Sequence, residues 1–216
     1  MNPFPNHSSL TLLPEGAVFL KNTSTLVVAD IHLGKSAAFR SHGLPVPEGD
    51  TAHDLLRLIE LSRNYQAAHL VIAGDLFHSP SGITSELKTE LRNFLTELGV
   101  PLTLVVGNHD VRIAPMNLPF SAVPHLDPEE NIRIIHDPAD IGAGKFHISG
   151  HWHPVVKISD GRRPALRLKC FVCRNETLVL PAFGSFTGGT LVHPLPDDRL
   201  FVALRATVLE LPQELV

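Results

Sequence analysis

The sequence predicts an α/β fold in which two mixed sheets pack together and are flanked by helices. In the first half of the chain, apolar runs with the length of buried strands alternate with segments of helical periodicity. In the second half, short strand-like runs follow one another, separated by glycine, proline and aspartate turns. No long linker or low-complexity tract interrupts the chain, so we expect a single domain over residues 1–216.

Three strands and two helices are predicted in the first half. Residues 26–32, 68–75 and 100–110 contain apolar and β-branched runs typical of buried strands. Residues 44–64 indicate a loop that closes into a helix, and residues 84–99 indicate a second helix. The inner face of the first helix would contain Leu55, Leu58, Ile59 and Leu61 or Ser62, and that of the second Leu87, Leu91, Phe94 and Leu98, with Gly99 as its end. This alternation predicts parallel strands joined by crossover helices.

The second half predicts shorter strands, at residues 131–137, 145–153, 155–159, 165–173, 177–182 and 200–211. The fourth of these contains Cys170 and Cys173, the only cysteines of the chain. A lone CxxC pair could be half of a zinc site or a redox pair, or two small residues within an apolar strand. We favour the last interpretation, because a four-ligand zinc site needs partners that are absent nearby.

The composition excludes several classes of protein. With 44% hydrophobic and 19% charged residues, the chain is typical of a globular protein with a proper core. Apolar runs stay well below the ~20 residues that span a bilayer, and the N-terminus lacks the features of a signal peptide, so the expected location is cytoplasmic. The net charge of −4 provides no general polycation for a nucleic-acid backbone, so any such contact would be local.

Polar residues follow the ends of the predicted strands. The segments are Asp30-Ile31-His32, Gly74-Asp75, Gly107-Asn108-His109-Asp110, His136, and His151-Trp152-His153, the last preceded by Gly150. Ligands bind at the carboxyl edge of open α/β sheets, so we expect these groups to converge. Glycine before Asp75, Asn108 and His151 would let the backbone turn sharply beside an ion or phosphate.

These groups indicate a metal centre. They are oxygen and imidazole donors without a thiolate, a set that suits Mn²⁺, Fe or Zn²⁺ better than Ca²⁺. They are too numerous for one ion. Two divalent ions about 3.5–4 Å apart, bridged by a carboxylate and a hydroxide, would use all of them.

The series D-x-H, G-D, G-N-H-D, H and G-H-x-H, in this order over residues 26–155, resembles the calcineurin-like metallophosphoesterase superfamily. The resemblance implies a metallophosphoesterase-type β-sandwich. It also implies one metal ion held by Asp30, His32, Asp75 and His153, and a second held by Asp75, Asn108, His136 and His151. His109 matches the histidine that such enzymes use at the leaving oxygen, whereas Asp110 is expected to orient a neighbour.

A narrower resemblance, over most of the chain, is to the PdeM family of bacterial phosphoesterases. The segments that carry it are "ADIHLGKSAAFRSHGLPVPEG", "GDLFHS", "GNHD", "GHWHP" and "LPAFGSFTGG". It implies a manganese-dependent DNA endonuclease of the DNA-damage response, with a DNA ligase and a helicase as partners. Because the chain is acidic, we expect single-stranded or processed DNA ends, which need fewer phosphate contacts than a duplex.

Four further residues are candidate substrate contacts. Arg40 could clamp a phosphate or be a solvated surface residue. His78 could contact substrate or orient a ligand. Gly184 and Thr187 lie in "AFGSFTGG" (182–189), which could line the pocket with backbone N–H and hydroxyl groups or form an ordinary β-turn. In the same segment, Phe183 and Phe186 could stack on a base or simply pack.

Other functions share these motifs. The same centre would serve a phosphatase or a nucleotide-sugar pyrophosphate hydrolase. A phosphoesterase fold retained as a non-catalytic interaction module is the alternative from another class of protein. The oligomeric state does not follow from the sequence.

Overall fold

In a computed structural model, the chain folds into two mixed sheets. The structure describes Phe4 and residues 7–113, 119–158, 165–204 and 206–215. The first sheet has six strands in the order of the sequence: β1 (Leu10–Leu13), β2 (Ala17–Leu20), β3 (Thr25–Val28), β4 (His69–Ala73), β5 (Leu102–Val105) and β6 (Ser121–Val123). Strands β1 to β3 pair antiparallel, whereas β3 to β6 pair parallel.

The second sheet contains nine short strands: β7 (Leu126–Glu129), β8 (Ile132–Ile134), β9 (Phe146–Ser149), β10 (Pro154–Ile158), β11 (Leu166–Arg174), β12 (Thr177–Val179), β13 (Thr190–Leu191), β14 (Arg199–Leu204) and β15 (Thr207–Leu211). Strand β9 pairs parallel with both β8 and β12. Most other pairs are antiparallel, among them β14 with β15, which the sequence predicted as one run. The predicted fold class of two mixed sheets with flanking helices is confirmed.

Three α-helices are described: α1 (Lys35–Ser41), α2 (Asp50–Asn64) and α3 (Ser85–Leu98). Helix α3 begins where the Thr84 side chain accepts a 3.2 Å hydrogen bond from Leu87 N–H, and it ends at Gly99, which has a φ of 69°. The predicted inner faces of α2 and α3 are buried, and α2 also buries Asp54. None of the described helices has the length and apolar character that crossing a bilayer would need.

Two apolar layers hold these elements together. Val27 and Val71 of the first sheet pack against Ile134, Ile148 and Leu178 of the second, and these residues form the core between the sheets. On the other face of the first sheet, strand residues pack against the inner faces of α2 and α3. The sandwich therefore has its described long helices on the outer face of the first sheet.

The two cysteines lie inside β11, on opposite faces of the second sheet. Cys173 belongs to the core between the sheets, whereas Cys170 packs in a separate cluster with Val156 and Val202. A separation of three residues along a strand turns two side chains to opposite faces. Burial raises the pKa of Cys170 to about 12 and that of Cys173 to about 11. The placement agrees with the interpretation of small residues in an apolar strand.

Candidate metal centre

The polar segments converge where the carboxyl ends of β3, β4 and β5 meet those of β8 and β9. Two clusters that contain carboxylates form there, beside a group of three histidines (His32, His78 and His109), and the donor atoms within each group lie no more than 4.8 Å apart. The first contains Asp30, His32, Asp75 and His153, and the second contains Asp75, His136 and His151. Asp75 belongs to both clusters.

The first cluster is tightly spaced, and three of its four members are buried. The Nε2 atoms of His32 and His153 are 3.2 Å apart, and His153 Nε2 is 3.3 Å from Asp30 Oδ1. Asp75 Oδ2 lies 3.9 Å from His32 Nε2. Asp30 is fully buried, and His32 and Asp75 are 4% and 2% exposed. Two imidazole nitrogens and two carboxylates thus face the same small volume.

The second cluster lies on the other side of the Asp75 carboxylate. Asp75 Oδ1 is 3.5 Å from His136 Nε2, and Asn108 Oδ1 is 3.0 Å from the same nitrogen. His151 Nδ1 lies 3.1 Å from Asn108 Oδ1 and 3.2 Å from His136 Nε2. The amide oxygen of Asn108 therefore joins the imidazoles, and the two oxygens of Asp75 face different clusters.

The orientation of His136 is fixed by a backbone hydrogen bond. Its Nδ1–H donates to the carbonyl of Ala73 at 3.0 Å. This bond selects the tautomer whose Nε2 lone pair points at Asp75 and Asn108. A histidine that ligates a metal is commonly held in this way through its other ring nitrogen.

The backbone at this edge is strained. Five of the seven candidate ligands have positive φ values, between 48° and 73°: Asp30, His32, Asp75, His151 and His153. Each such conformation costs a non-glycine residue of order 1–3 kcal/mol, and such strain clusters at functional sites. Hydrogen bonds between loops stabilise it, since Asp30 N–H donates to Gly74 O, His32 N–H to Asp75 O, and His151 N–H to the Asp30 carboxylate.

Gly74 and Gly107, the glycines before Asp75 and Asn108, leave room for the side chains of His136 and Asp75. A Cβ at Gly74 would lie 2.0 Å from His136 Nδ1, and Gly74 has a φ of 86°. A Cβ at Gly107 would lie 2.3 Å from Asp75 Oδ1. The close approach expected at these glycines is therefore to the metal-site side chains themselves.

His109 lies beside the shared carboxylate. Its backbone N–H donates to Asp75 Oδ1 at 3.0 Å, and its Nδ1–H donates to the carbonyl of His78 at 2.6 Å. Its Nε2 is 4.0 Å from Asp75 Oδ2, and the side chain is 36% exposed. The bond to His78 turns Nε2 toward the centre, where it can reach a substrate from the solvent side.

Asp110 holds together the two loops that carry Asp75 and His109. Its fully buried carboxylate accepts hydrogen bonds from the backbone N–H groups of Leu76, Phe77 and Gly107, which joins the loops after β4 and β5. Burial raises the pKa of Asp110 to about 6, although these hydrogen bonds oppose the rise. Its position fits the orienting role expected from the sequence.

Burial also shifts the pKa values of two ligand candidates, His32 and Asp75. It lowers the pKa of His32 to about 2, and the neighbouring His153, His109 and Lys35 act in the same direction. Burial likewise raises the pKa of Asp75, against the effect of His136. His32 is therefore neutral at physiological pH, the form that binds a metal.

The four candidate substrate contacts are not all in the same place. His78 lies close to the centre, because its ring is stacked 5.6 Å from that of His109 and lies 5.7 Å from that of His32. Arg40, on α1, instead forms an ion pair with Glu48 and donates to the carbonyl of Val46 at 3.1 Å. Its contact with substrate stays a prediction.

Gly184 and Thr187 lie behind the turn that carries Asp30 and His32. Gly184 N–H donates to Asp30 O at 3.3 Å, and a Cβ at Gly184 would be 2.2 Å from Ile31 O. Thr187 is 7% exposed and closes a turn by donating its N–H to Gly184 O. This placement lets both residues support the metal site. Whether either contacts substrate stays a prediction.

Sequence reasoning missed Asp54 of α2, which anchors the turn between Gly184 and Thr187. Its buried carboxylate accepts hydrogen bonds from Ser185 N–H at 2.8 Å and from Arg57 at 2.8 Å, and Arg57 also donates to Phe183 O. The only signal in the sequence was an acidic residue on the apolar face of a helix. Phe39, whose ring lies 5.7 Å from that of His78, and Lys35, whose Nζ lies 5.9 Å from the Phe39 centroid, were missed as well.

The donor set fits divalent metal ions. The Nε2 atoms of His32 and His153, 3.2 Å apart, can share a proton or coordinate one cation, and the buried carboxylates of Asp30 and Asp75 need compensating charge. The clusters provide nitrogen and oxygen donors without a thiolate, which favours borderline and hard divalent ions.

A pair of carboxylate and imidazole clusters at the end of a two-sheet sandwich defines a metallophosphoesterase. Residues 23–162 match the calcineurin-like phosphoesterases, and the chain belongs to this family of metal-dependent phosphoester hydrolases.

Solved structures include similar chains. The nuclease MPE of Pseudomonas putida shares 31% identity with a TM-score of 0.75, and the match covers 93% of this chain and 94% of that chain. Yfce, a phosphoesterase from E. coli, shares 19% identity with a TM-score of 0.48, covering 87% of this chain and 97% of that chain. No curated protein matched the sequence.

Proposed function

We propose that this protein is a metal-dependent phosphodiesterase that hydrolyses DNA, acting as an endonuclease with two divalent ions. The observation that carries the proposal is the pair of donor clusters that share Asp75, with His109 Nε2 4.0 Å from that carboxylate. The similarity to a nuclease over most of both chains favours a nucleic-acid diester as substrate.

The ligand sets proposed for the two ions follow the clusters. One ion would be held by Asp30, His32, Asp75 and His153, and the other by Asp75, Asn108, His136 and His151. When bound, two such ions polarise a phosphoryl oxygen and lower the pKa of water enough to provide a nucleophile near neutral pH. Manganese is the ion we propose, with iron and zinc as alternatives to be compared.

His109 is proposed to act on the leaving oxygen. Because its Nδ1–H is committed to the His78 carbonyl, a second proton on the ring would reside on Nε2 and face the centre. A protonated Nε2 can donate to the alkoxide that forms when the ester bond breaks. Asp75 and Asp110 hold the His109 backbone and the neighbouring loops in place for this transfer.

The test is hydrolysis by metal-stripped protein to which Mn²⁺, Fe²⁺, Zn²⁺ or Mg²⁺ is returned. The substrates are single-stranded DNA, duplex DNA, bis-p-nitrophenyl phosphate, p-nitrophenyl phosphate and a nucleotide-sugar pyrophosphate. We expect Mn²⁺ to restore diester and single-strand cleavage. Asp75→Ala should abolish it, since both clusters lose their shared ligand, and His109→Ala should lower kcat by about 10²–10⁴-fold.

His193→Ala is the matched control, because His193 is an exposed histidine outside both clusters, and it should retain wild-type rates. Preference for the monoester would replace the proposal with a phosphatase. Hydrolysis of a nucleotide-sugar pyrophosphate alone would indicate a small-substrate hydrolase. Metal binding without hydrolysis of any of these substrates would favour a non-catalytic interaction module.

A further inference from the structure

Three side chains form a small shelf beside the metal centre, which we call the aromatic shelf: Lys35, Phe39 and Phe186. The rings of Phe39 and Phe186 meet edge to face with centroids 5.9 Å apart. Lys35 Nζ lies 5.9 Å from the Phe39 centroid and 5.6 Å from the Phe186 centroid. A cation within about 6 Å of an aromatic ring is attracted to it, so the shelf pairs aromatic surface with positive charge.

The aromatic shelf is continuous with the proposed leaving-group side of the site. The Phe39 ring is 5.7 Å from that of His78, which in turn stacks 5.6 Å from the ring of His109. A substrate group one nucleotide away from the scissile phosphate would extend in this direction. The shelf therefore lies within reach of a nucleotide next to a phosphate that is held at His109.

The turn that presents Phe186 is firmly anchored, although the phenylalanine is 39% exposed. Gly184 O accepts hydrogen bonds from Thr187 N–H at 3.3 Å and from Lys169 Nζ at 2.9 Å. Asp54 accepts hydrogen bonds from both the N–H and the hydroxyl of Ser185. A large apolar ring held outward by a fixed turn is preorganised to bind a ligand rather than to fill a core.

We propose that the aromatic shelf is a subsite for one unpaired nucleobase, stacked on Phe186, with Lys35 contacting an adjacent phosphate. The inference rests on the proposed function and specifies its substrate as single-stranded nucleic acid. A base inside a duplex has its faces covered by its neighbours and cannot stack there, whereas stacking on an aromatic side chain is tolerant of base identity. Lys35 provides the local positive charge that the acidic chain as a whole lacks.

The test is equilibrium binding of short fluorescent DNA strands to metal-free protein in chelator, measured by anisotropy. One strand carries all its bases and the other has abasic sugars at every position except the labelled end. Both strands carry the same phosphates. Repulsion between these phosphates and the carboxylates of the metal-free site therefore affects both affinities equally and cancels in their ratio. We expect the base-bearing strand to bind about 5-fold or more tightly, the low end of a single stacking contact.

The variants assign the effect to the shelf. Phe186→Ala should bring the affinity ratio close to one, and Phe186→Trp should preserve it, because an aromatic face remains. Lys35→Gln should weaken the binding of both strands. It should also reduce the slope of log affinity against log salt concentration by about one, the change expected for the loss of one phosphate contact. Leu56→Ala and Lys88→Gln replace an exposed leucine and an exposed lysine on other helices and should leave the ratio and the salt dependence unchanged.

Equal affinity of the wild-type protein for the two strands would overturn the subsite, whether or not DNA is hydrolysed. A base preference that survives Phe186→Ala would overturn it as well. A preference that depends on Phe186 in a protein that does not cleave DNA with any metal would support the subsite and contradict the proposed function. The two proposals thus fail separately.

Discussion

Gly74 shows how one residue without a side chain controls the second cluster. Its φ of 86° suits glycine, and a Cβ there would lie 2.0 Å from His136 Nδ1, which is the atom that donates to Ala73 O. Gly74→Ala would therefore pay about 1–2 kcal/mol of backbone strain and also push the His136 ring away from Asp75 and Asn108. We expect the manganese content to fall from about two ions to about one per chain, measured by mass spectrometry of metals after dialysis.

Gly144→Ala is the control that separates the cost of backbone strain from the displacement of His136. Gly144 has a similar φ of 83°, but a Cβ there would meet nothing within 4 Å. This variant should lose a similar amount of stability and keep both ions. Full metal content in Gly74→Ala would show that His136 can move without loss of binding, which would contradict its place among the proposed ligands.

At the scale of elements, helix α2 determines the position of the turn around Phe186 through Asp54. Asp54→Asn keeps the size of the side chain but replaces one acceptor oxygen by an NH₂ group, which would face the N–H groups of Ser185 or Arg57. Loss of such a buried hydrogen bond costs about 1–3 kcal/mol. We expect faster hydrogen exchange at the Ser185 amide and weaker binding of the base-bearing strand.

The control for this prediction is Glu60→Gln, an exposed acidic residue on the same helix. It should leave both the exchange rate and strand binding as in the wild type. If Asp54→Asn loosened the turn without affecting strand binding, Asp54 would be a purely structural residue and the preorganisation of Phe186 would not matter.

How well the sequence predicts an element depends on how local its signal is. Helix α3 was predicted because four apolar residues repeat at helical spacing between Thr84 and Gly99, and these ends act as caps in the structure. Helix α1 was not predicted, since it has seven residues and its N-terminal Gly34 provides no capping side chain. Strands β14 and β15 were predicted as one run, because neither glycine nor proline separates Leu204 from Thr207.

At the scale of the whole molecule, the donors of the metal centre could be predicted but much of their support could not. Asp30, Asp75 and Asn108 follow neighbouring parallel strands, so their convergence is a consequence of sheet topology. The contact of Asp54 with Ser185 joins residues 131 positions apart, and no local pattern marks it. The aromatic shelf likewise depends on the approach of α1 to the distant turn at Phe186.

The stability of the whole molecule depends on pH through Asp198, a buried carboxylate that links β11 to the segment before β14. It accepts two hydrogen bonds from Arg174, at 2.8 and 2.6 Å, and one from Leu195 N–H. Burial opposes its ionisation, but these hydrogen bonds outweigh burial and hold the pKa of Asp198 below its usual value. The unfolded chain therefore binds a proton at Asp198 more readily than the folded protein does, and acid favours unfolding.

Asp198→Asn should lower the free energy of unfolding by about 1–3 kcal/mol at pH 7, since the charge-assisted bonds to Arg174 are weakened. The contribution of the carboxylate is complete above its unfolded pKa of about 4 and disappears as pH falls through the lower folded value. The difference between wild type and variant, measured by urea unfolding of metal-free protein from pH 7 to pH 3, should therefore shrink below about pH 4. Asp197→Asn, at the exposed neighbouring carboxylate, should show only a small difference. A difference for Asp198→Asn that stays constant across this range would mean that its ionisation does not stabilise the fold.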